Sequence, residues 1–185
     1  MPRPPGDQRD RLLRRASAAF YTEGIHAVGV DRIIADAQTT RATFYRHFPS
    51  KEDLIVAYLR AADAQIRADL AAGVEGASPA DAVRRVAASI AGQVSGPGFR
   101  GCAFLNAVTE YPDPGHPVYR VVVEHRDWFL RTVTELFGDE PAARQFVMLR
   151  DGAMTSGCVA DADAVRETFL AAVEELLAAH PIQDR

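Results

Sequence analysis

Apolar positions in this chain repeat at helical spacing over most of its length, and no stretch shows the strict alternation of a half-buried strand. Leu12, Leu13, Ala16 and Phe20 predict the buried stripe of a first helix over about Gln8 to Glu23, with Gly24 as its stop. Ile33, Ile34 and Ala37 face inward on a short second helix over about Val30 to Ala37. A third, Arg41 to His47, starts behind Thr40, a good N-cap, and ends at Pro49-Ser50. Ser50 with Asp53 comes close to a capping box for a longer fourth helix, about Lys51 to Ala72, which Gly73 and Gly76 break.

Ser78-Pro79 supplies a cap and a first-turn proline for a fifth helix reaching about Val94. SGPGFRG then reads as a loop. A short sixth helix covers about Cys102 to Tyr111, and Pro112, Pro114 and Pro117 forbid its continuation. The seventh spans about Val118 to Phe137. The eighth follows Pro141 and reaches Ser156, and the ninth runs from near Asp163 to His180-Pro181. Residues 1–6 read as a mobile proline-rich tail. The expectation is an all-α chain of about nine helices, with a three-helix head over residues 1–53 and a helical bundle over residues 54–185.

Composition changes this picture little, but charge changes it in one respect. The 185 residues suffice for a real core, and 48% hydrophobic content is ordinary. No apolar run is long enough to span a membrane, and the N-terminus lacks the apolar core of a secretory signal. Cys102 and Cys158 are read as two unpaired thiols, so a cytoplasmic location is expected. Net charge is −4, yet residues 1–51 hold 9 Lys+Arg against 5 Asp+Glu, while the rest hold 12 against 20. A basic head on an acidic body points to a polyanion at one end only. Lys51, the only lysine, lies in that head.

The head also carries the candidate chemistry. A helix as short as Arg41–His47 does not stand alone; held by neighbours, it suits insertion into a groove, as the second helix of a helix-turn-helix does. Thr40 and Thr43 offer hydroxyls to phosphate oxygens. Arg41 can grip phosphate or read guanine, and the small Ala42 permits close approach. Tyr45 and His47, a turn further on, can reach the backbone, as can Lys51 and Arg32. Phe44 and Phe48, four apart, read as core. A polar short helix can equally be a plain solvated face, and on physical grounds alone both readings stay open.

From about Leu12 to Leu59 the chain resembles the TetR family of bacterial transcriptional regulators. The tract Thr43-Phe44-Tyr45-Arg46-His47-Phe48-Pro49-Ser50-Lys51-Glu52-Asp53-Leu54 carries the resemblance most specifically. It implies that Thr40, Arg41, Thr43, Tyr45, His47 and Lys51 face DNA. The turn departs from the family pattern of Ala-Gly-Val. Gln38 stands where glycine is usual, which implies strain at φ > 0, and Thr39 stands where an inward residue is usual and so presents a hydroxyl. Gly29 stands where a Ser or Thr cap is usual.

For the body, the resemblance implies a small-molecule pocket in helices 5 to 7 and a dimer interface on helices 8 and 9. Pocket candidates are Phe99, Cys102, Phe104, Leu105, Val108, Thr109, Tyr111, His125, Trp128 and Phe129. Core packing competes for each apolar member, and a structural role for His125. Interface candidates are Gly152, Ser156, Val165, Phe169, Val173 and Leu176, on faces wider than one packing contact needs.

Enzyme, metal and cofactor motifs are missing: there is no C-x-x-C, H-E-x-x-H, G-x-S-x-G or phosphate-loop pattern. The reading is a DNA-binding repressor that acts as a homodimer on a palindromic operator and is released by a small molecule, with no cofactor and no membrane partner. The alternative is a helical ligand-binding protein whose DNA-binding head is vestigial.

Overall fold

A computed structural model describes residues 5–182. Among the described residues it is all-helical: α1 Pro5–Glu23, α2 Val30–Asp36, α3 Arg41–His47, α4 Lys51–Val74, α5 Pro79–Val94, α6 Ala103–Glu110, α7 Pro117–Phe137, α8 Glu140–Ser156 and α9 Ala162–Ala179. None of these helices is long and apolar enough to cross a membrane.

Local signals place most ends. Ser78, Asp139 and Asp161 cap α5, α8 and α9 by accepting the backbone N–H of Asp81, Ala142 and Ala164. Ser50 caps α4 by accepting the Asp53 amide at 3.0 Å. Two expectations fail. Helix α1 already begins at Pro5, so residues 5 and 6 are helical rather than tail; proline suits a first turn, where its missing N–H has no partner to lose. The expected tail residues 1–4 lie outside the described residues. Gly73 does not stop α4, which continues to Val74 and ends before Gly76, at φ 67. A glycine inside a helix weakens it by about 1 kcal/mol but does not terminate it unless φ turns positive.

The chain packs as two compact units, the first comprising residues up to Asp63 together with Ala103–Val123 and the second Ala64–Cys102 with everything from Glu124 on. This grouping differs from a linear division at 53/54. One tie within the first unit is Glu110, whose carboxylate accepts the amides of Ile25 (2.9 Å) and His26 (2.6 Å), joining α6 to the α1–α2 loop. Leu12, Ala16, Phe20, Ile33, Phe44, Phe48, Leu54 and Leu59 form the core of the head. Leu13 and Ile34, expected in that core, are half-buried, and Ala19 takes the inward position on α1. In the second unit α5 packs on α8 and α9, around Val83, Ala87, Phe146, Phe169 and Val173.

Candidate nucleic-acid interface

The turn between α2 and α3 is a Schellman motif. The Thr39 N–H donates to the Ile34 carbonyl at 3.1 Å and the Gln38 N–H to that of Ala35 at 3.0 Å. This geometry needs a left-handed residue between helix and exit, and Gln38 supplies it at φ 50, the one non-glycine residue with positive φ among those described. The strain expected from the sequence is therefore present, and the turn forms regardless. Thr39 is half-buried.

Thr40 caps α3 with φ −106 and ψ 156, its hydroxyl oxygen accepting the Thr43 N–H at 3.2 Å. Its hydroxyl donates to the Thr43 hydroxyl oxygen at 3.0 Å, which leaves the Thr43 proton available to an outside acceptor. Phe44, fully buried, anchors α3, and Tyr45 stands edge-on to it, ring centroids 5.1 Å apart, with 44% of its surface exposed. Packing thus fixes an aromatic hydroxyl on the outer face. Arg41, Ala42 and Arg46 share that exposure, while Thr43 and His47 are half-buried at its flank. His47 Nε2 is enclosed and has no partner among the described residues.

Three of the candidate cations already have partners. Arg41 pairs with Asp31, which raises its pKa chiefly through the hydrogen bond. Arg32 Nε bonds Asp36 at 2.8 Å and its Nη2 bonds Glu23 at 3.2 Å. These pairs are exposed and therefore weak, so a phosphate can replace either carboxylate. Lys51 is half-buried; its Nζ donates to the Ile25 carbonyl at 2.7 Å and sits 5.9 Å from the Phe20 ring centroid. Burial pushes its pKa down, opposed by Glu110 and Glu52. Lys51 thus braces the α1–α2 loop with one of its three protons and retains the others. Gly29, at the N-cap of α2, makes no side-chain cap, as its identity requires.

Sequence reasoning missed Glu110, because nothing in its local pattern signals a partner 85 residues away. It also gave no role to Gln8, Arg9 or Arg46. Arg46 Nη2 donates to Gln8 Oε1 at 3.3 Å, and the Arg9 guanidinium lies 5.1 Å over the Phe48 ring.

The pocket candidates divide between the units. In the first, Phe104 is fully buried, Leu105 and Val108 are half-buried, and Thr109 is exposed and bonded to the Asn106 carbonyl at 2.7 Å. Tyr111 lies against the His26 and His116 rings, at 4.8 and 4.6 Å between centroids. In the second, Phe99 is half-buried and Cys102 buried, with its sulfur 3.2 Å from Arg150 Nη2. His125 is buried 5.7 Å from Trp128, over which Arg67 lies at 4.1 Å. A narrow cleft of about 70 Å³ in this unit is walled by Ile66, Leu70, Val74, Val86, Ile90 and Phe129. Phe129 is the one pocket candidate that lines it.

On the outside of α8 and α9 runs an open apolar groove of about 890 Å³. Five interface candidates line it: Gly152, Ser156, Val165, Phe169 and Leu176. Val173 does not; it is 1% exposed within the core. Met148, 74% exposed, stands in the groove. A Cβ at Gly152 would meet nothing within 4 Å, whereas one at Gly157 would come within 2.7 Å of Val94 and 3.0 Å of Phe99. The two glycines therefore differ: Gly157 admits a neighbour within the chain, and Gly152 keeps the outer face open.

Comparison with known proteins agrees with this arrangement. Residues 12–58 match the family model of bacterial regulatory proteins of the tetR family. The crystal structure of a TetR-family transcriptional regulator from Streptomyces coelicolor is similar at 54% identity and a TM-score of 0.92, over 95% of this chain and 96% of that one. The structure of a putative tetR transcriptional regulator from Streptomyces avermitilis is similar at 28% identity and 0.84, over 95% and 99%. The helix-turn-helix transcriptional regulator YjdC of Escherichia coli is 25% identical over 92% of this chain and 93% of its own length.

Proposed function

This chain belongs to the TetR family of DNA-binding transcriptional regulators, which are not enzymes, and we propose that it is a repressor that binds a palindromic operator as a homodimer and leaves it when a small molecule binds. The observation that carries the reading is the exposed face of α3, where a capped helix start, Arg41 and Tyr45 stand clear of the core with Thr43 half-buried at the flank. A dimer places two such helices in successive major grooves, about 34–36 Å apart or a little more. The uncovered groove on α8 and α9, with Met148 and Gly152 in it, suits a second copy of the chain, because a monomer rarely leaves such a surface open.

The cleft around Phe129, whose apolar walls are joined by Asp69, Arg85, Ser89 and Gln93, supports an effector with an apolar body and polar groups. Its present volume is below that of an ordinary ligand site, so binding implies widening, and a ligand that selects the widened state shifts the protein away from its DNA-binding state. α4 and α7 are continuous links for that shift, since each starts in the first unit and ends in the second.

Fluorescence anisotropy on the upstream intergenic duplex, at two salt concentrations and with scrambled competitor, tests the reading. A competitor-resistant complex that weakens with salt supports it. Sedimentation of wild type and of Met148→Arg tests the dimer; identical masses would exclude the groove as its interface. Tight ligand binding without DNA affinity, on this fragment and in a genomic selection, would favour a ligand-binding protein with a vestigial head. The intact Schellman turn at Gln38 weighs against that alternative.

A further inference from the structure

We propose that Arg9 and Arg46 form a phosphate clamp at the C-terminal end of the recognition helix α3, gripping the DNA backbone beside the groove that the helix enters. The clamp rests on the operator-binding reading and adds two contacts to it.

The cations of the head differ in how far they are neutralised. Arg32 and Arg41 each bond a carboxylate. Arg9 and Arg46 are exposed, and both have neutral partners, the Phe48 ring and the Gln8 amide oxygen. Phosphate attraction depends on unspent positive charge, so these two offer more of it than the paired arginines do. Their partners also orient them. Gln8 accepts one of the five guanidinium N–H groups of Arg46, and stacking on Phe48 leaves the rim of Arg9 free to donate. Among the described residues, the side chains are thus held in place by partners that leave their charge unspent.

Helix α3 has 7 residues, so it is roughly 10 Å long, against a major groove about 12 Å wide. A helix of that length seated in the groove brings groups beyond its ends to the phosphate walls. Thr40 and Arg41 occupy one end; Arg46, with Arg9 drawn over Phe48, occupies the other. Asp10 sits about 100° further round α1 than Arg9, and Arg14 about 140°, so neither belongs to the clamp.

The test is the salt dependence of operator binding by the full-length protein, for wild type, Arg9→Gln, Arg46→Gln, the double variant and Arg14→Gln. Each clamp substitution should lower the slope of log affinity against log salt by about 1, the double variant by about 2, and Arg14→Gln by none. Weakening should be equal on operator and unrelated duplex, with base preference unchanged. Thermal melting of each variant separates misfolding from lost contact, and Arg9→Glu, which leaves the core untouched, should weaken binding further. A wild-type slope in the double variant overturns the clamp while operator binding stands. A wild-type protein with no salt-dependent complex overturns both.

Discussion

The Lys51 ammonium donates to the Ile25 carbonyl across 2.7 Å, while the amide of that same Ile25 donates to Glu110 at 2.9 Å. One residue of the α1–α2 loop is therefore held at both of its backbone polar groups by side chains from α4 and α6. The loop leads directly into α2, so its fixation helps to set where the helix-turn-helix begins.

Removing either support should loosen the head without touching its core. Glu110→Ala leaves the partly buried Ile25 amide without an acceptor and hands the exposed His26 amide to water, and should lower stability by about 1–3 kcal/mol. Urea denaturation reads the effect, and an unchanged midpoint would mean that water replaces the carboxylate at no loss.

Lys51 also sets a pH dependence. Burial holds its folded-state pKa below the ordinary lysine value, so the folded protein releases this proton before the unfolded chain does. Between the two values the unfolded state binds more protons, and stability from this group rises with pH across that alkaline window. Tyr111 runs the other way. Burial, then Glu52 and Glu110, raise its phenol, so its contribution is full below the ordinary tyrosine value and lost as pH climbs through the folded one. In a Tyr111→Phe background, the lysine chain should gain stability with alkaline pH relative to Lys51→Gln. Parallel profiles would reject this assignment.

At Gln38 the left-handed conformation disfavours any side chain by about 1–2 kcal/mol, offset in part by the freedom glycine loses on folding. Gln38→Gly should therefore stabilise the head by up to about 1 kcal/mol. Calorimetry on the two proteins checks it, and a lower melting temperature would show that the glutamine side chain makes a contact worth more than the strain.

Gly29 presents the opposite opportunity. Its backbone is already in the extended N-cap conformation, and a Cβ there meets nothing within 4 Å. Gly29→Ser should add the missing cap of α2 and stabilise by a few tenths of a kcal/mol, measured as a rise in the denaturation midpoint. Gly157→Ala, by contrast, drives a methyl against Val94 and Phe99 and should destabilise by about 1–3 kcal/mol.

Tyr45 is exposed and rests edge-on against Phe44. Tyr45→Ala should leave melting nearly unchanged but weaken binding to every duplex, on the order of tenfold, which anisotropy would detect. Wild-type affinity in this variant removes Tyr45 from the interface.

The all-helical class, the three helices of the head and the caps of α3 at Thr40 and of α4 at Ser50 were legible in the sequence, because each depends on residues three or four positions apart. The resemblance to the TetR turn marked Gln38, which stands where glycine is usual and takes φ 50. Tertiary structure alone decided which charges remain free. Asp31 against Arg41, Glu110 against Ile25 and Gln8 against Arg46 join residues 10, 85 and 38 positions apart, and no periodicity records such pairs. It likewise decided that Val173 is enclosed while Phe169 and Leu176, buried on the same helical stripe, also border the open groove, because spacing sets the stripe but only packing sets which of its members reach an edge.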